Sequence, residues 1–211
     1  MTRIPTLPTL ALFLCATALG ACSKNEAVAD NAAMADDLGV EALPADNMAT
    51  GNAMAGTAMA GVPQSVAFTG GGGALMGSVM VSEDASGLVI NVNGVAMPAG
   101  VHGIHLHEKG LCEGPKFTSA GAHWNPGGKQ HGRDNPAGSH AGDLANLTVA
   151  ADGSAKVSIP VAGAMMASGD MMLADADGTA LVVHAKADDY KTDPSGESGD
   201  RIACAVIAKG K

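Results

Sequence analysis

The stretch Gly100-Val101-His102-Gly103-Ile104-His105-Leu106-His107-Glu108 decides how this 211-residue chain is read. Side chains of a strand alternate between faces, so His105 and His107 share one face while Ile104 and Leu106 point to the other, toward a core. His102 has the parity of Ile104 and Leu106, which predicts a hydrogen-bonded structural histidine and no metal ligand. Alone, a His-x-His pair reads as two surface histidines. Its company overturns that reading: His123, His131, His140 and Asp143 follow at spacings of eight, nine and three in a loop rich in Gly and Pro. Three imidazoles and a carboxylate suit tetrahedral zinc. His184, near the end of a late strand, joins His105 and His107 to make a nitrogen-rich site suited to copper. Composition and spacing alone thus give a dinuclear or two-site His-rich metalloprotein.

Around that strand, residues 64–211 read as short β-like runs bounded by turn residues. The expected strands are 64–69, 75–83, 87–95, 101–108, 143–150, 154–160, 179–186 and 201–208, punctuated by Gly70 to Gly73, Asp84 to Gly87, Pro98-Ala99-Gly100 and Asp152-Gly153. No helix-length periodic segment stands out. The fold class is all-β, an eight-stranded Greek-key sandwich or barrel. Two connections, from Glu108 to about Gly142 and from about Ala187 to Asp200, are long enough to be functional loops. Met165, Met166, Met171 and Met172 cluster before the last strands and are read as packing.

Residues 1–21 read as a secretory signal: Arg3, then an interrupted apolar stretch from Leu7 to Leu19, then small residues. Leu19-Gly20-Ala21-Cys22 resembles the bacterial lipobox, which predicts lipid on Cys22 after cleavage; an ordinary signal with a chance cysteine is the alternative. Residues 22–63, mostly Ala, Asn, Asp, Met and Gly, cannot bury enough apolar surface to offset ordering and are read as a disordered tether. Its Met34, Met48, Met54 and Met59 are soft donors suited to Cu(I), although low-complexity drift accounts for them better. Cys15 leaves with the signal and Cys22 carries lipid. Cys112 and Cys204 remain in a disulfide-permitting compartment, where an even pair is better read as bridged than free. Both the tether (six acids against Lys24) and the domain (fifteen acids against ten bases) are net acidic, which argues against nucleic acid as a partner.

Gly100 to Glu108 resembles the copper-site strand of Cu,Zn superoxide dismutases. Gly121-Ala-His-Trp-Asn-Pro126, Lys129-Gln-His-Gly132 and Ser139-His-Ala-Gly-Asp-Leu144 resemble the zinc loop of that family, in the same order. Leu181 to Asp189 and Asp200 to Val206 resemble its last two strands. The resemblance covers essentially all of 64–211 and none of the tether. It implies one copper per subunit on His105, His107, His123 and His184, and one zinc on His123, His131, His140 and Asp143, with His123 bridging the metals. It implies a Cys112–Cys204 disulfide and a core role for His102. Asp188 matches the carboxylate that orients one copper and one zinc histidine, with Asp189 as the next candidate, and Arg201 matches the active-site arginine that guides the anion. The implied reaction alternates Cu(II) and Cu(I), turning superoxide into dioxygen and hydrogen peroxide, with His123 carrying a proton as its bond to copper is lost and remade.

A net-negative protein attracts an anion only if its cleft is locally positive; Arg201 and the metals supply that charge, with Lys186 and Lys191 as further contributors. The second loop looks shorter and poorer in lysine than in the eukaryotic branch. A homodimer and a monomer are both compatible with bacterial members of the family. The expected setting is a bacterial periplasm, with the lipid anchor in a membrane and Ser23 favouring the outer one. The main rival is a non-enzymatic copper-buffering lipoprotein on the same fold. A copper-delivery protein would need a thiolate-rich transfer element, for which no mature-chain cysteine is left.

Overall fold

The computed structural model describes residues 64–211, so the expected signal peptide, Cys22 lipidation and tether lie outside the described residues. Nine strands carry the fold: β1 (Gln64–Gly70), β2 (Leu75–Asp84), β3 (Gly87–Gly94), β4 (Gly100–His102), β5 (Ile104–His107), β6 (Leu147–Val149), β7 (Ala155–Ala162), β8 (Gly178–His184) and β9 (Arg201–Lys209). Seven form a curled antiparallel sheet in the order β5-β8-β9-β1-β2-β3-β7, and β4 pairs with β6. The link 95–99 carries the chain from β3 to the far edge, a Greek-key crossing. Because β4 runs on into β5 and β6 turns into β7, the two sheets meet at both ends and curl around one core.

Burial divides the sheet into two halves. In β2, β3 and β7 the apolar residues alternate inward (Val79 and Val81; Leu88, Ile90 and Val92; Ile159 and Val161) while Met80, Asn93 and Lys156 face solvent. This is the period of a half-buried strand. In β5 and β8 every residue is buried. Their inner face supplies Ile104, Leu106, Leu181 and Val183 to the main core. Their outer face presents His105, His107, Ala180 and Val182, covered by the long connection 108–146.

Two expected strands are shorter than their sequence suggested. The run 101–108 is broken at Gly103, whose N–H donates to Lys186 O (2.7 Å) and whose carbonyl accepts from His184 N–H (2.8 Å). An added Cβ there would lie 3.0 Å from Ser198 Cβ and 3.2 Å from the His105 ring, so glycine lets the second long connection pack directly on the strand. The run 143–150 is a strand only from Leu147, because Asp143 to Asn146 direct their polar groups to the loops instead.

The free edge of β5 is covered by the first long connection. Leu106 accepts from Trp124 N–H (2.8 Å) and donates to Gly142 O (2.9 Å), and Glu108 N–H donates to Ala122 O (3.0 Å). A disulfide between Cys112 and Cys204, 92 residues apart with Cα atoms 5.7 Å apart, ties the start of the connection to β9. Closing a loop of that size is worth roughly 4–5 kcal/mol in the chain-entropy model. Cys204 packs with Phe117, Ala120, Ala180 and Val182 in a small apolar cluster outside the main core, which holds residues 117–121 against the outer face. Among the methionines, Met166 and Met171 pack against the main core as expected.

Candidate metal centre

Strand parity puts His105 and His107 on the outer face of β5, and the antiparallel register brings Val182 and Ala180 opposite them. His184 ends β8 at a register shift and pairs with Arg201 at the start of β9. His123 reaches the same face because its segment bridges β5 at His107. One ligand atom from each of His105, His107, His123 and His184 lies within 4.8 Å of the others, and so does one from each of His123, His131, His140 and Asp143. The structure therefore brings together both expected sets, with His123 common to the two.

The ring nitrogens reveal what the sets are built for. His107 Nδ1–H donates to Gly121 O (3.0 Å) and His184 Nδ1–H to Gly199 O (3.1 Å). His105 Nε2–H donates to Asp188 Oδ2 (2.9 Å) and His131 Nε2–H to Asp188 Oδ1 (3.0 Å). For His105, His107 and His184 the bond fixes a tautomer and leaves the opposite nitrogen as a bare lone pair, whereas His131 Nδ1 lies 3.0 Å from the Asp143 carboxylate. Those opposite nitrogens, His105 Nδ1, His107 Nε2, His131 Nδ1 and His184 Nε2, together with His123 Nε2, are buried with no hydrogen-bond partner among the described residues. On the other side Nδ1 of His123, His131 and His140 converge on Asp143 Oδ1 at 3.0, 3.0 and 3.1 Å. His131 Nδ1 is at that distance but off the line of a hydrogen bond. A tetrahedral shell with bonds of about 2.0–2.1 Å has edges of about 3.3 Å, and the three edges to Asp143 Oδ1 are close to that length. Four nitrogen donors on the other side of His123 suit copper. The residues fit both metals.

Electrostatics separate the two groups. Burial, then the charges of His123 and Arg201, lowers His107 to about 2. Burial and His105 lower His184 to about 3, and burial lowers His123 to about 4 against the pull of Asp143. These rings are neutral and ready for a metal at pH 7. For His131, burial is outweighed by the carboxylates of Asp143 and Asp188, which raise it to about 9. Burial works against ionisation of Asp143 and Asp188 as well, yet hydrogen bonds from the histidines hold both well below the usual carboxylate range.

Arg201 donates to Phe117 O and Gly121 O, both at 2.6 Å, and Gly121 O also accepts from His107. Both donors go to neutral carbonyls, so the guanidinium keeps its charge available beside the His107/His184 side of the centre. His102 is buried apart from the sets, its Nδ1 2.8 Å from His184 O and its Nε2 2.9 Å from Pro98 O. Asp188 is the carboxylate between His105 and His131. Asp189 instead accepts from Lys191 N–H and Thr192 N–H, both at 2.8 Å, in its own turn. Lys186 and Lys191 are exposed.

Sequence reasoning missed Asn146, Tyr190 and Arg133. Asn146 clamps the Asp188 backbone, accepting its N–H (2.8 Å) and donating to its carbonyl (2.9 Å). Tyr190 accepts from Asn146 N–H (2.7 Å), and the Arg133 guanidinium lies 3.7 Å from the centre of its ring. One signal was present: Tyr190 is the only tyrosine of the chain, two residues after Asp188.

The family model described as copper/zinc superoxide dismutase matches residues 75–207. The superoxide dismutase-like protein of Bacillus subtilis is 42% identical over 138 residues, 64% of this chain and 70% of that protein. The Cu-Zn superoxide dismutase of Caulobacter vibrioides is 43% identical over 140 residues, 65% and 80% of the two chains. A crystal structure of a variant of the Bacillus subtilis protein superposes with a TM-score of 0.67 at 38% identity, covering 70% of this chain and 99% of that one.

Zinc needs His131 Nδ1 bare, whereas the metal-free ring, raised to about 9, carries a second proton at pH 7. Zinc binding is therefore expected to release about one proton, and apparent zinc affinity to rise about ten-fold per unit between roughly pH 7 and 8.5. Chelator competition on the full chain reads this slope, and a flat profile contradicts it.

Proposed function

The chain belongs to the copper/zinc superoxide dismutase family, and from that premise we propose that it converts two superoxide anions and two protons into dioxygen and hydrogen peroxide at the His123 centre. His105, His107, His123 and His184 would hold copper, and His123, His131, His140 and Asp143 zinc. Bound there, copper would supply the one-electron redox chemistry of the Cu(II)/Cu(I) couple, and zinc, without redox chemistry, would supply fixed charge. The observation that carries the reading is the group of four buried, unpaired nitrogens on His105, His107, His123 and His184, residues whose ligand atoms lie within 4.8 Å of one another, each with its opposite nitrogen tied to a carbonyl or carboxylate.

The residues around that point divide the remaining tasks. His123 Nε2 is the proton site facing the copper set, with Nδ1 committed to the Asp143 side. With Nδ1 given to zinc, Nε2 is the one ring atom of His123 left to take up or give a proton. Arg201 presents a fixed positive charge to an arriving anion, oriented by two carbonyls. Asp188 keeps the His105 and His131 lone pairs aimed inward. A copper buffer would use the same ligands, but the guanidinium beside His107 and His184 serves an anionic substrate and has no task in storage.

The full chain loaded with both metals is expected to dismutate superoxide, and His184→Ala to lose copper and activity together. Arg201→Gln is expected to keep both metals, lose about ten-fold in kcat/KM, and show a flatter dependence on ionic strength. A parent that holds both metals yet is inactive would overturn the dismutase reading in favour of copper buffering.

The reading extends to the N-terminus. Leu19-Gly20-Ala21-Cys22 supports cleavage before Cys22 and lipid on its thiol, which would hold the enzyme at a bacterial envelope, with Ser23 favouring the outer membrane. An exported location agrees with the Cys112–Cys204 disulfide. Palmitate labelling of the full chain in a bacterial host is expected to mark the parent and not Cys22→Ser. An unlabelled parent, or equal label in both, contradicts the anchor.

A further inference from the structure

We propose that Tyr190 is a positioning residue for the metal centre: its hydroxyl, backbone and ring lock Asp188, and through it the rings of His105 and His131, to the segment that carries His131. This inference rests on the metal reading above and adds a residue to it.

Asp188 holds one ring from each ligand set, so any displacement of its carboxylate turns two ligands at once. It lies in the connection between β8 and β9, outside both strands, and must be held by something other than the sheet. Three residues form a closed circuit there. The Asn146 side chain takes both backbone groups of Asp188, at 2.8 and 2.9 Å. Asn146 N–H donates to the Tyr190 hydroxyl at 2.7 Å, and Tyr190 N–H donates to Asp188 Oδ1 at 2.7 Å. The acceptor of that last bond is the oxygen that also receives His131 Nε2–H.

Tyr190 also joins the circuit to the zinc-side loop. Its carbonyl accepts from Asp134 N–H at 2.9 Å, and the guanidinium of Arg133 lies over its ring. Arg133 and Asp134 follow His131 by two and three residues. The contact is so close that a Cβ on Gly132 would overlap the Tyr190 carbonyl. Tyr190 holds φ at +62°, a left-handed conformation that a bulky side chain keeps only where its surroundings over-determine it. A phenol supplies what this place requires: an acceptor for the Asn146 N–H at its tip, and an aromatic face for the cation along its body.

Tyr190→Phe deletes the acceptor and keeps the ring; Tyr190→Leu deletes both. In the full chain, Tyr190→Phe is expected to weaken zinc about ten-fold, the scale for losing a hydrogen-bond partner that orients a ligand. It is also expected to shift the copper(II) electron paramagnetic resonance spectrum through His105. Tyr190→Leu is expected to move both further, and if it fails to fold, Tyr190→Phe decides alone. A merely structural tyrosine would lower the melting temperature and leave zinc affinity and the copper spectrum at parental values, which would overturn the inference. A parent that binds no zinc would overturn the metal reading itself, whereas a zinc-binding parent matched by Tyr190→Phe overturns the positioning role only.

Discussion

Five buried ring nitrogens, on His105, His107, His123, His131 and His184, have no hydrogen-bond partner among the described residues. His131 Nδ1 lies beside the Asp143 carboxylate; the other four, at about 1–3 kcal/mol for each unsatisfied buried polar group, together weigh roughly 4–12 kcal/mol. That is the size of the net stability of a whole domain. The arrangement fits cations that accept the four lone pairs and displace the proton of His131, so that all five atoms become metal contacts. The remaining features of the domain serve to hold those nitrogens in place.

The outer face of β5, β8 and β9 is the floor on which the centre stands. A strand places alternate side chains at fixed intervals, so β5 puts His105 and His107 on one face, and Asp188 and Gly121 O from the loops then turn their rings. The covering loops then have to be pinned, and the fold does so at several points. The Cys112–Cys204 bridge and the Phe117 cluster fix residues 117–121, whose carbonyls orient Arg201 and His107. Hydrogen bonds along the edge of β5 seat the segments around Trp124 and Gly142. Asp188 joins the second loop to both ligand sets, and its buried charge is matched by His105, His131 and Tyr190 N–H. A hydrogen bond to a charged group is worth about 1.5–3 kcal/mol, so these contacts bind the second loop to the centre.

The legible part of this design was the part with local period or fixed spacing. The two-residue repeat of β5 separated His102 from His105 and His107 without any structure. The spacing from His123 to Asp143 marked the second ligand set, because a loop dense in Gly and Pro has little other reason to hold three imidazoles. Asp188 and Arg201 became visible only through family resemblance, since nothing local distinguishes them from solvated charges. Asn146 and Arg133 were not legible at all, because their partners lie more than forty residues away in the chain. The strand expected at 143–150 is shorter in the structure for a related reason: apolar residues from Leu144 onward give no sign that Asp143 and Asn146 are held by the centre.

Copper and zinc sharing the single imidazole of His123 is the central claim, and anomalous diffraction at the two metal edges from crystals of the metal-loaded full chain tests it most directly. The expected result is one copper peak at His123 Nε2, among His105, His107 and His184, and one zinc peak at His123 Nδ1, beside Asp143. A single peak, or a copper peak removed from His123, would contradict it.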